Sequence, residues 1–394
     1  MSSPRSLPAE SVANASGAPD PLLAPLDLVD TWAGGALALI LGGSHASGSA
    51  TWARVAGRRV CLSDLDVYAV VPDRVRQRLA VERARRDRAG LRRRLLDWGF
   101  AAPLEASFPL PDDLARLPAR PATLELARHG RVWRGDPAWL DRVPHWQAAD
   151  VSAEETQLLL ENRAFELLLA WPGLSAGGPL PRLLARHATL KCALDVARVE
   201  ALSRGEYPDG AAALVAWVVR RWGDGAEPEG LHAVLEAALA WHAGEVYALE
   251  PVAARLEWHT TVAAWTALWR VRVGPSYEEV LRHARRARLR RRLRCALLWR
   301  ARSGLGPALA GRMRHALRGT PQHRVNAAAA VLLLAASDPL ARGEPSLPDA
   351  ATGALARLGV AADAARAGWP AAARAVVEAW DRWVLDGQRT AEPA

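Results

Sequence analysis

Lysine is almost missing from this 394-residue chain: Lys191 is its single example, and arginine makes up the rest of its 51 basic residues. Codon usage biased towards arginine and alanine is the plain cause. The formal net charge of +9 favours phosphate-bearing partners such as nucleotides, RNA or anionic lipid heads, without choosing among them. Cysteine is nearly as scarce. Cys61, Cys192 and Cys295 are odd in number and far apart, which excludes a disulfide framework and a zinc-ligand spacing and suits a reducing cytoplasm. Long apolar runs are lacking too. The longest, Ala327 to Ala336, is too short to span a bilayer, so no membrane partner is expected. The sequence has no Walker-type loop, no nucleophile elbow and no metal-binding histidine pair of known spacing.

Half the residues are hydrophobic and about a quarter charged, an ordinary globular balance that excludes disorder as the dominant state. The length suits two or three domains. Residues 1–20 are rich in Ser, Pro and Ala without the apolar core of a signal peptide, so a flexible lead-in and a cytoplasmic location are expected. Strand and helix patterns alternate over 21–145. Ala36–Leu41 reads as a buried strand, Val60–Val71 as a second with period-two alternation, Arg74–Trp98 as a helix and Leu104–Phe108 as a third strand. Thr123–Ala127 and Arg131–Trp133 read as short edge strands. After about residue 145 helical periodicity takes over. Ser152 is the expected N-cap of a helix running to about Trp171, residues 171–181 read as a loop, and Leu183–Leu202 as the next helix. A break at 223–230 and another at Val273–Ser276 divide the remainder, giving expected helical segments 146–272 and 276–385 and a loose tail after Gly387. The fold class expected is α+β: an N-terminal domain with a small mixed sheet, then an all-helical C-terminal region.

The informative stretch runs from Leu41 to Val71, LGGSHASGSATWARVAGRRVCLSDLDVYAVV. A strand ends at Gly42–Gly43–Ser44, a small polar loop follows, and a later strand carries Asp64–Leu65–Asp66. Side chains alternate along a strand, so the two aspartates share one face while Leu65 and Val67 take the other. Paired carboxylates repel and are costly to bury. A hard divalent cation resolves the conflict, and Mg²⁺ (or Mn²⁺) favours one or two carboxylates completed by substrate phosphates and water. Gly42 and Gly43 remove side chains where backbone can approach a phosphate chain, and freed N–H groups with the Ser44 hydroxyl can hold its oxygens. Glu105, on the polar face of Leu104–Phe108, is the chosen third carboxylate, to ligate metal or accept a proton. Glu125 is its rival.

This stretch resembles the signature of the DNA polymerase beta-like nucleotidyltransferase superfamily through Gly43, Ser44, Asp64 and Asp66: a Gly-Ser pair, a spacer, then two acids one residue apart on a strand. The HGRVWRGDP segment at 129–137 is similar to one found after the third strand in the small enzymes of that superfamily. The resemblance implies that the serine contacts triphosphate and the acids bind Mg²⁺. It covers about the first 140 residues and departs in one respect. The spacer from Ser44 to Asp64 is long, with TWARVAGRR apparently inserted, either as a surface hairpin or as a wall of the acceptor pocket. The resemblance also implies that Lys191, from the helical region, reaches the triphosphate. Arg163, Arg186 and His187 are further candidates to line the cleft.

The expected activity is therefore transfer of a nucleoside monophosphate, AMP from ATP or the counterpart from another nucleoside triphosphate, to a hydroxyl of a small molecule or protein, with release of pyrophosphate. Nucleic acid is a less favoured acceptor. The alternative is a non-catalytic nucleotide- or partner-binding protein that keeps the fold. The arginine-rich stretch 283–304 has a core-facing apolar stripe and reads as a solvated helix face, with nucleic acid or membrane contact as lesser readings. Most of the tryptophans are assigned to core packing.

Overall fold

A computed structural model describes residues 20–222, 230–286, 321–337 and 345–380. Most of the lead-in, the 223–229 break, the greater part of the basic stretch 283–304, Cys295 and the tail after Gly387 lie outside the described residues. The chain is α+β, with a small mixed sheet followed by helices.

Helix α1 (Leu23–Ala33) leads into strand β1 (Ala38–Leu41), whose four residues are all buried. The short helix α2 (Gly43–Ser47) follows. Strands β2 (Trp52–Val55) and β3 (Arg58–Cys61) then form an antiparallel hairpin. Its two-residue turn has Ala56 at φ 50° and Gly57 at φ 79°, the doubly left-handed geometry that matches the twist of a tight hairpin. The long spacer is thus a hairpin. Strand β4 (Leu65–Val70), helix α3 (Arg74–Asp97) and strand β5 (Leu104–Ser107) come next. Asp73 caps α3, its side chain accepting from the N–H groups of Val75 and Arg76 at 2.8 Å each. Helices α4 (Pro111–Leu114) and α5 (Pro121–His129) lead to strand β6 (Arg131–Arg134).

The sheet order is β5-β4-β1-β6. β1 pairs antiparallel with β4 and β6, while β4 and β5 are parallel across the α3 crossover. One face buries Leu39, Leu41, Leu65, Val67 and Ala69 against α1 and α3. The other buries Ala38, Ile40 and Val70 against Leu114, Leu126 and Val143.

Two expectations are corrected. Val60–Val71 is not one strand: β3 ends at Cys61 and β4 begins at Leu65. Cys61 pairs with Trp52 on one side and bridges Phe100 on the other, and the break follows at 62–64, where Leu62 N–H donates to Thr51 O and the Ser63 hydroxyl accepts from Thr51 N–H, both at 2.9 Å. Residues 123–127 are not an edge strand but the middle of α5. Proline at 121 starts that helix with its φ already helical and no N–H to satisfy, and Thr123, Leu124 and Leu126 are all buried, which five alternating residues alone could not distinguish from a strand.

The helical region opens at α6 (Ala153–Leu174), where the Ser152 hydroxyl accepts from Glu155 N–H at 3.2 Å. The helix continues three residues beyond Trp171, through Pro172, so the expected 171–181 loop shrinks and α7 (Pro179–Ser203) begins on a proline. Helices α8 (Gly210–Trp222), α9 (Leu231–His242), α10 (Pro251–Arg272) and α11 (Tyr277–Arg286) follow. Four more complete the described chain: α12 (Pro321–Ala336), α13 (Asp349–Leu358), α14 (Ala362–Arg366) and α15 (Trp369–Trp380). One core joins them. Its tryptophans carry a polar handle that usually finds a partner when buried. Trp258 donates to Leu167 O and Trp265 to Leu160 O, both at 2.8 Å, tying α10 to α6. The apolar run 327–336 is the buried centre of this core. Among the described residues no helix is long and apolar enough to cross a membrane.

A buried ion pair fixes α7 to α10. Arg186 is 4% exposed and donates from Nε and Nη2 to Glu257 at 3.0 Å each, with Nη1 on the Tyr247 carbonyl at 3.0 Å. Arg186 is thereby spent on packing and does not serve the cleft. Removing one partner strands the other charge, so Arg186→Ala should cost about 3–5 kcal/mol in urea unfolding, whereas the double variant Arg186→Met with Glu257→Leu should cost less than either single change.

Candidate active site

The site begins at the end of β1. Gly42 N–H donates to Asp66 O at 3.0 Å, continuing the β1–β4 ladder, and Gly43 then turns at φ 57°. A Cβ built on Gly43 would lie 2.2 Å from Asp66 Oδ2, and one on Gly42 would lie 3.1 Å from the Tyr68 ring. Gly43 is therefore glycine for two reasons: the left-handed backbone and the carboxylate resting on it. Ser44 follows, half-buried, in the first turn of α2.

Asp66 lies on β4 and Asp64 one residue before it, with Leu65 between them turned into the core. Parallel pairing sets Asp66 opposite Glu105 of β5. Asp64, Asp66 and Glu105 thus occupy one side, close enough for each to feel another's charge. Burial, then repulsion from Glu105 and Asp64, pushes the Asp66 carboxyl up to about 6. Glu105 is more open to solvent, yet it is also shifted upward, first by lost hydration and then by Asp64. The same acids act on the neighbouring phenol: burial and Asp66 push Tyr68 up to about 12.

Asp64 behaves oppositely. Burial alone would raise it, but the Lys191 ammonium, 2.8 Å from Oδ2, holds it below its ordinary value. Lys191 comes from α7 across the boundary between sheet and helices. Its own affinity for a proton is raised despite burial, by Glu166 and then by Asp64. One turn earlier on α7, His187 is pushed down to about 3 by burial and then by Lys191. Its Nδ1 accepts from Trp241 Nε1 at 3.1 Å, leaving a neutral imidazole beside the cleft.

Charges that periodicity did not single out stand behind this lysine. Arg163 Nε lies 2.7 Å from Asp195, and Arg163 also pairs with Glu166. Asp195 pairs with Arg198 as well. Glu166 is the member most relevant to the cleft, since it bears on both Lys191 and Glu105. The i, i+3 spacing of Arg163 and Glu166 on one helix was its only sequence signal. Glu125, the rival third carboxylate, lies on α5 and accepts from the Tyr207 hydroxyl, with Arg198 3.9 Å away. It serves the contact between α5 and the helices, which weakens its claim against Glu105.

The donors suit a hard divalent cation. Two carboxylates crowd one another, and the upward shift of Asp66 records a conflict that positive charge would relieve. Among the described residues no group of three or more His, Cys, Asp or Glu side chains is arranged to hold a metal by itself. Asp64, Asp66 and Glu105 are thus near one another without forming such a group. Comparisons with family models, curated proteins and solved structures give no match.

The raised Asp66 makes a prediction about stability. Its carboxyl keeps its proton up to about pH 6 in the folded chain, against an ordinary value of 3.8. Between those values the folded state binds more protons, so this group lowers stability as pH rises from about 4 to 6. Asp66→Asn should therefore be more stable than the parent at pH 7.5, by about 1–3 kcal/mol. The gap should shrink as pH falls through 6 and vanish near pH 4. Urea melts across that range measure it, and a variant less stable than the parent at pH 7.5 would contradict the crowding.

Proposed function

We propose that this chain is a metal-dependent nucleotidyltransferase that moves a nucleoside monophosphate from a nucleoside triphosphate, ATP foremost, to a hydroxyl of a small molecule or protein. The observation that carries this reading is the contact of Asp66 Oδ2 with the space above Gly43: the acidic pair and the glycine turn form one site.

Mg²⁺ or Mn²⁺, held by Asp64 and Asp66, would supply charge neutralisation on the phosphates. In the first turn of α2 the N–H groups of Gly43 and Ser44 have no intrahelical acceptor, and with the Ser44 hydroxyl they would bind phosphate oxygens. Lys191, already on Asp64, would bridge that carboxylate to the triphosphate. Glu105, its proton affinity raised, would take the acceptor's proton. The acceptor oxygen bonds to the α-phosphorus, the bond from that phosphorus to the β-bridging oxygen breaks, and pyrophosphate leaves with the electron pair. Positioning and charge complementarity do most of the work in such a reaction.

The test is incubation of the chain with each α-labelled triphosphate, Mg²⁺ and fractionated cell extract. Label transferred to an acceptor with stoichiometric pyrophosphate is expected. Asp66→Asn should lower the rate by roughly a thousandfold or more, and Glu105→Gln by about a hundredfold, both variants remaining folded. Absence of transfer with every triphosphate by a folded chain would favour a binding protein that keeps the fold.

A further inference from the structure

Helix α3 carries ten arginines and three acids, a net charge of +7 where the whole chain has +9. Two kinds of arginine are segregated on it. At about 100° per residue, Arg76, Arg83 and Arg94 fall on one flank, and each has a partner. Arg76 donates to Gly34 O and Arg83 to Trp32 O, both at 3.1 Å, closing the end of α1, while Arg94 lies 3.2 Å from Asp87. These three are structural.

Arg74, Arg78, Arg88 and Arg92 follow the i, i+4, i+14, i+18 spacing that keeps side chains on one flank, the one turned away from α1; Arg85 shares that flank but is engaged with Glu82. Arg74, Arg78 and Arg92 are exposed. Glu82 pairs with Arg86 and acts on Arg85, while Asp87 is engaged with Trp32 and Arg94, so Arg74, Arg78 and Arg92 keep their charge on the exposed flank. At the far end Arg58 of the hairpin donates to Asp97 O at 3.2 Å, so the hairpin arginines continue the basic surface. From Arg74 to Arg92 the row is about 27 Å long at 1.5 Å per residue, more than the roughly 12 Å width of a duplex major groove.

We propose that this flank of α3 is a docking surface for double-stranded nucleic acid, held through its phosphates. A row of that length can cross a groove and meet phosphates of both flanking strands, and arginine suits phosphate by its planar fork. Ala80 and Leu95 of α3 are buried in the sheet core, and the exposed apolar residues Val75, Leu79 and Leu96 are too few and too scattered to form a continuous apolar face for a bilayer. The aspartates point to the opposite side of the sheet from α3. Docking is therefore separate from the reaction cleft, and it stands whether or not the cleft transfers a nucleotide.

The experiment is fluorescence anisotropy of the full chain with a labelled 24-base-pair DNA duplex of arbitrary sequence, from 50 to 300 mM salt. Binding should be independent of sequence, with log K falling against log salt at a slope of about −3.6 for four phosphate contacts. Arg74→Glu, Arg78→Glu and Arg92→Glu together should weaken binding at 100 mM salt at least thirtyfold and flatten that slope. All three side chains are exposed, and circular dichroism will verify the fold. A control triple, Arg220→Glu, Arg270→Glu and Arg282→Glu, removes equal charge from exposed positions on α8, α10 and α11 and should change affinity less than threefold. The proposal is overturned by no binding at 50 mM salt, or by equal weakening in the control triple, which would reveal diffuse net charge. Tighter binding to polyglutamate or to phosphatidylserine vesicles than to the duplex would also overturn it, as an acidic protein or a membrane would then be the partner.

Discussion

Repulsion among carboxylates governs this structure. A parallel strand pair sets Asp66 opposite Glu105, and the step before β4 adds Asp64 on the same side. Such crowding costs free energy in a partly buried site, and the chain answers it unevenly. Asp64 has the Lys191 ammonium at 2.8 Å and stays ionised. Asp66 and Glu105 lack such a partner and are pushed upward. The result is a site with one neutralised acid and two that would gain from further positive charge, pressed against a glycine turn that no larger residue could form. A sheet built only for stability would not keep this arrangement. Local destabilisation of that kind is what a binding or catalytic site retains.

The helical region matters because it delivers the lysine. Lys191 lies on α7, backed by the Arg163, Glu166, Asp195 and Arg198 network; the Arg186–Glu257 pair holds α7 to α10, and the tryptophan anchors hold α10 to α6. A long flexible side chain becomes a fixed cation when the charges around its root are themselves fixed. In an arginine-dominated chain the retained lysine also has a chemical rationale. A compact ammonium can approach a single carboxylate oxygen, whereas a guanidinium would occupy a wider fork.

Much of this was legible in the sequence. The Gly42–Gly43–Ser44 turn, the shared side of Asp64 and Asp66, and Glu105 on a neighbouring strand all follow from period-two alternation and the order of elements. The hairpin between β2 and β3 was one of two readings of the spacer, and its Ala56–Gly57 turn gave the needed signal. What escaped were features decided by distant contacts. The Val60–Val71 run breaks at 62–64, where the Ser63 hydroxyl accepts from Thr51 N–H across the hairpin. The alternation at 123–127 is equally good as a short buried helix. The partner of Lys191 lies 127 residues away, beyond the reach of any local pattern. The two sorts of arginine on α3 differ only in flank, which no composition reveals.

On the proposed function, positive charge brought with a nucleotide would relieve the crowded acids. Calorimetric titration of the chain with a non-hydrolysable ATP analogue and Mg²⁺, at pH 6 in buffers of different ionisation enthalpy, measures the protons exchanged. Because Asp66 is half-protonated near pH 6, binding should release about half a proton, and Asp66→Asn should abolish the release. Heats that do not depend on the buffer, or release unchanged in Asp66→Asn, would contradict it.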